Sequence, residues 1–75
     1  MAELETGTKV AIIKSELQLW NNSQYQAGLK MRVHRKLGNE QGIKEASDYF
    51  ERCEQAIMEL EKALGELNVL EVVSG

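Results

Sequence analysis

Proline is absent from the 75 residues of the chain, and cysteine and histidine occur once each, as Cys53 and His34. A single cysteine cannot form a disulfide within one chain, and a structural zinc site needs about four cysteine or histidine ligands. A domain this short buries little apolar surface and draws extra support from disulfides, a metal or self-association. The composition therefore disfavours a cofactor and predicts self-association.

Long apolar runs are also absent. The sequence has no stretch of about twenty apolar residues, the length that a bilayer-spanning helix needs, so we expect no membrane segment. Residues 1–8 lack the basic start and apolar core of a signal peptide. An unpaired cysteine suits a reducing compartment, and we expect a cytoplasmic protein. The net charge of -3 argues mildly against a general nucleic-acid binder.

The strongest interruption in an otherwise helix-forming sequence is the segment 38–42, Gly-Asn-Glu-Gln-Gly. It predicts a turn, with Gly38 ending one helix in the left-handed conformation and Asn39 capping the next. We expect helix 1 over about 9–37, the turn at 38–42, helix 2 over about 43–67 and a short tail at 68–75. Residues 1–75 form a single domain in this prediction.

On each side of the turn, apolar residues recur at alternating spacings of three and four, which is the pattern of a coiled-coil seam. The first seam, with two polar interruptions, consists of Val10, Ile13, Leu17, Trp20, Gln24, Ala27, Met31 and His34. The second consists of Ile43, Ala46, Phe50, Cys53, Ile57, Leu60, Leu64 and Leu67. Two seams joined by a turn predict an all-α fold, an antiparallel two-helix hairpin in which facing residue numbers sum to 77.

Helix 1 carries a second set of apolar residues, well away from the seam. One partner helix cannot cover both sets, so we predict that hairpins assemble into a four-helix bundle, with a homodimer favoured and larger helical oligomers as the alternative. The predicted oligomer interface consists of Ile12, Leu19, Leu29, Val33, Leu37 and Tyr49.

Charge is divided unevenly between the helices. No acidic residue occurs between Leu17 and Asn39, whereas helix 2 is rich in glutamate. One interpretation is electrostatic complementarity across the hairpin. The alternative is a polar strip on helix 1 that binds an anionic ligand, a nucleotide or RNA. Its candidate ligand-binding residues are Lys14, Gln18, Asn21, Tyr25, Arg32 and Arg35, with Gly28 between them for close backbone approach.

The residues offer little chemistry for catalysis. Cys53 lies on the seam, where a cysteine acts as a small core residue, and His34 lies several helical turns away, near the turn. A metal shared between two His34 side chains and Glu40 or Glu45 is not required by any spacing, so no metal site is predicted. We therefore expect a non-enzymatic helical protein that acts as a protein–protein interaction adaptor or regulator, with anionic-ligand binding as the alternative.

Overall fold

The computed structural model describes the backbone of residues 4–74 and the side chains of residues 4–68. Two helices make up the described chain: α1 spans Thr6–Leu37 and α2 spans Glu40–Ser74. They pack against each other as an elongated hairpin with extents of 55 × 20 × 17 Å. No strand occurs in residues 4–74, and the predicted all-α hairpin is confirmed.

Gly38 ends α1 as predicted. Its φ of 70° is in the left-handed region, where glycine carries no steric penalty from a Cβ atom. Its backbone nitrogen donates to the carbonyl oxygen of Arg35 (3.2 Å), and that of Asn39 donates to the carbonyl oxygen of His34 (2.9 Å). This pair of hydrogen bonds is a Schellman motif, which satisfies carbonyls that the helix end leaves free.

Asn39 starts α2 immediately, so the turn is shorter than the predicted segment 38–42. Its Oδ1 accepts a hydrogen bond from the backbone nitrogen of Gly42 (3.0 Å), the usual geometry of an N-cap. Its carbonyl oxygen accepts from the backbone nitrogen of Ile43 (3.0 Å). Only Gly38 and Asn39 therefore connect the helices, and residues 40–42 belong to the first turn of α2.

The outer ends of both helices also differ from the prediction. The first helix begins at Thr6 rather than about residue 9, and α2 continues to Ser74 rather than ending near residue 67. Gly65 does not stop α2, because a glycine inside a helix costs only about 1 kcal/mol relative to alanine. The side chains of residues 69–74 lie outside the described part of the structure, as do residues 1–3 and 75 altogether.

Both predicted seams lie between the helices. Every seam residue is buried or half-buried. Two close approaches report the register: a Cβ atom added at Gly28 would lie 3.8 Å from Cε2 of Phe50, and one added at Gly42 would lie 2.5 Å from Nδ1 of His34. The residue numbers of each facing pair sum to within one of the predicted 77.

Candidate interaction surfaces

The core of the hairpin is small. Among the described residues, the buried apolar side chains are Ala27, Ala46 and Cys53, at 1%, 7% and 0% exposure. The larger seam residues, such as Trp20, Phe50 and Leu60, are only half-buried. Because each helix meets just one neighbour, the flanks of these large side chains stay in contact with water.

Apolar side chains away from the seam are exposed. The six residues predicted as an oligomer interface range from 42% exposure at Tyr49 to 72% at Leu37, and the others are Ile12, Leu19, Leu29 and Val33. Sequence reasoning passed over Leu4 and Met58, which are 57% and 61% exposed. Met58 could have been noticed, because it is a large apolar residue off the seam of helix 2.

One side of the hairpin carries two clefts. The turn cleft, of about 320 Å³, is lined by Ala27, Lys30, His34, Gly42, Glu45, Ala46 and Tyr49. The open-end cleft, of about 410 Å³, lies near the free ends of the helices and is lined by Leu4, Lys9, Ile12, Ile13, Ala63, Glu66 and Leu67. Ile12 and Lys30 are 18 residues apart, as are Glu45 and Ala63, and 18 residues make about five whole helical turns. Both clefts therefore open on the same side, which we call the cleft face.

The exposed apolar residues of α1 divide into two groups when placed on this geometry. At about 100° per residue, Leu19 and Leu37 lie within about 20° of Ile12 and point toward the cleft face. Val33 lies 21 residues after Ile12, which is three heptads, so it keeps the position of Ile12 relative to the seam and to α2. Leu29 lies opposite the seam and forms an outer edge that points away from α2. The predicted interface is thus two surfaces rather than one.

The polar strip of α1 is fully accessible. All six predicted ligand-binding residues are exposed: Lys14, Gln18, Asn21, Tyr25, Arg32 and Arg35. Lys14 and Arg32 are 18 residues apart and lie on the same side of the helix, on the opposite side of the hairpin from the clefts. None of the six lines the turn cleft or the open-end cleft. The strip is therefore an open surface of about 30 Å along the helix rather than a pocket.

Three residues at the turn are linked by contacts that join the helices. Asn39 Nδ2 lies 3.3 Å from Nδ1 of His34, and because an amide nitrogen only donates, Nδ1 is the acceptor. The His34 ring also lies against the backbone of Gly42, which is buried. His34 is thus a packing residue of the turn. In the described part of the chain, no group of three or more histidine, cysteine, aspartate or glutamate side chains is placed to hold a metal ion.

Cys53, the only thiol, is fully buried, which keeps its sulfur from a solvent-borne substrate. Neither described helix has an apolar stretch long enough to cross a bilayer. Comparison of the chain with protein-family models, with curated proteins and with solved structures found no match. The features of the hairpin that can contact another molecule are its exposed apolar residues and the polar strip of α1.

Proposed function

We propose that the chain is a non-enzymatic helical protein that self-associates through its cleft face and acts as a protein–protein interaction adaptor or regulator. The observation that carries the proposal is a mismatch within residues 4–68, where three small side chains are buried and large apolar side chains are exposed around them. Burying an exposed Ile or Leu side chain contributes about 1.5 to 3 kcal/mol. A second hairpin supplies the cover that one partner helix cannot.

The exposed area supports self-association quantitatively. The chain exposes 6118 Å² at a mass of 8.5 kDa, whereas a compact monomer of this mass exposes about 4,700 Å². The excess is larger than the roughly 800 Å² that each partner buries in an interface of standard size. The radius of gyration of the chain, 17.0 Å, likewise exceeds the roughly 11 Å expected for a compact domain of this length.

The adaptor role rests on surfaces that a second hairpin leaves free. Leu29 on the outer edge points away from α2, so a copy seated on the cleft face does not cover it. The polar strip, with Tyr25 at 70% exposure, lies on the far side as well. These surfaces offer an apolar edge and an aromatic, arginine-bearing face, which are features enriched at protein–protein interfaces.

Light scattering on a sizing column tests the self-association directly. We expect a mass of twice the 8.5 kDa of one chain, or a higher whole multiple, that holds over a tenfold dilution. A folded species with the mass of one chain would contradict the proposal. In that case the cleft face would be free to receive a different protein.

Binding of an anionic ligand, a nucleotide or RNA, is the second candidate function. The observation that favours it is the exposure of all six strip residues along one side of a helix that has a single acidic residue, Glu16. Arginine binds phosphate through paired donors, and an exposed tyrosine can stack on a base.

A thermal-shift measurement with nucleotides and short RNA tests this second function. A ligand present at 100 times its Kd adds about 2.7 kcal/mol to the free energy of unfolding, so we expect a rise in Tm that disappears when Arg32 and Arg35 are replaced by glutamine. The matched control replaces Arg52 and Lys62 of α2, which are exposed outside the strip, and retains the shift. No change in Tm at millimolar ligand would contradict the function.

The absence of catalysis and a cytoplasmic location are parts of the same proposal. The burial of Cys53 and the packing role of His34 support a non-enzymatic protein without a cofactor. An unpaired cysteine suits a reducing compartment.

A further inference from the structure

The two helices carry opposite net charges. Helix α1 has six basic side chains and one acidic one, a net charge of +5 with neutral histidine. Helix α2 has nine acidic and three basic side chains, a net charge of -6. Within one hairpin the helices therefore attract each other, and the same difference constrains how a second copy can pack.

Two cleft faces related by a two-fold axis can meet in two ways. If the axis runs along the hairpins, both turns lie at the same end, and α1 of one copy lies over α2 of the other. If the axis runs across the hairpins, the turns lie at opposite ends, α1 lies over α1, and α2 lies over α2. Neighbouring helices are antiparallel in both arrangements, so the helix dipoles do not discriminate between them.

The charges do discriminate. Opposite ends would bring together the cleft-face lysines of the two α1 helices, Lys9 and Lys30, and the cleft-face glutamates of the two α2 helices, Glu45 and Glu66. Like charges brought together across an interface are destabilising. Turns at the same end place every basic helix between two acidic ones. We infer that the chain dimerises with both turns at the same end, an inference that rests on the proposed self-association.

Charged residues at the rims of the clefts fit this arrangement in detail. Lys30 and Glu45 both line the turn cleft, and Lys9 and Glu66 both line the open-end cleft. With the turns at the same end, these residues keep their heights along the bundle. Lys30 of each copy then meets Glu45 of the other, and Lys9 meets Glu66. With the turns at opposite ends, the basic rim residues at one end face those at the other end.

The arrangement also determines what the dimer presents. The polar strip lies on the opposite side from the cleft face, so the two strips lie on opposite outer sides of the bundle and run in the same direction. The two outer edges, one at Leu29 of each copy, are related by the same axis. Such a dimer can hold two copies of one partner at once, and a partner whose two copies are linked gains overall affinity without any new contact.

Distances between spin labels on the two copies separate the arrangements. One label is attached at Lys36→Cys near the turn, and in a second sample at Gly7→Cys near the open end. Both positions are exposed, and no atom lies within 4 Å of a Cβ at Gly7. The wild-type protein, whose Cys53 is fully buried, is the control for labelling at the native cysteine. Light scattering on each labelled sample gives its mass.

For turns at the same end, we expect inter-copy distances below about 35 Å at both positions, because neighbouring helix axes in a bundle are about 8–10 Å apart. Distances above about 45 Å at both positions would overturn the inference, since they approach the 55 Å length of the hairpin. A mass of one chain would instead refute the self-association itself. The two failures are therefore distinguishable.

Discussion

Replacing Gly42 with alanine is expected to lower the free energy of unfolding by about 2 kcal/mol, within the usual range for overpacking. The new Cβ would lie 2.5 to 2.8 Å from three atoms of the His34 ring. Either the helices separate at the turn, or the ring rotates into the turn cleft and loses its hydrogen bond with Asn39. The gain in helix propensity, at most about 1 kcal/mol, does not offset this.

The same substitution at Gly65 is the matched control and should have the opposite sign. No atom lies within 4 Å of a Cβ at Gly65, so alanine there should stabilise the protein by about 0.5 to 1 kcal/mol. Urea unfolding at one fixed protein concentration measures both variants. Adding His34→Ala to Gly42→Ala should reduce the penalty. Equal stabilisation by the two glycine replacements would show that the close approach of the helices at the turn does not exist.

Replacing Ile12 with lysine is expected to weaken self-association at least a hundredfold, about 2.7 kcal/mol. Ile12 lines the open-end cleft on the cleft face, where a buried lysine would lose its hydration without a dedicated partner. One hairpin by itself tolerates the change, because the side chain is already 48% exposed. Light scattering over a dilution series should show the mass of one chain at concentrations where the wild type is a dimer.

Leu29→Lys provides the control for this second prediction. Leu29 is 43% exposed, close to the value for Ile12, but it lies on the outer edge. Its replacement should leave the dimer mass unchanged and should interfere only with a partner protein that binds the edge. If both lysine variants dissociate equally, the outer edge is part of the self-association surface. If neither dissociates, the copies do not meet at the cleft face.

The sequence was sufficient to predict the parts of the fold that depend on local chemistry. The seam spacing predicted both helices and their register, and Gly38 and Asn39 act in the turn as their residue types indicate. It was insufficient for Gly42, which was assigned to the turn because glycine usually interrupts a helix. In the structure Gly42 is helical, and its lack of a side chain admits the His34 ring. That role depends on a contact between two helices, and the residues next to Gly42 in the sequence do not indicate it.

The division of the second apolar set was also beyond local reasoning. The spacing placed Ile12, Leu19, Leu29, Val33 and Leu37 away from the seam, and all five are exposed. Their assignment to a cleft face or to an outer edge depends on which side of the hairpin the clefts open. That direction depends on the α2 residues, such as Tyr49 and Ala63, that line the clefts opposite α1.

The two-residue connection has a consequence for the order of folding. His34 and Gly42 are separated by only eight residues of chain, whereas Ile13 and Ala63, which share the open-end cleft, are separated by fifty. Loop-closure entropy makes the first contact cheaper by about 1.6 kcal/mol. Helix pairing should therefore begin next to the turn at Gly38 and Asn39 and proceed toward the free ends. Destabilising replacements near the turn should slow folding, while those near the free ends should mainly speed unfolding.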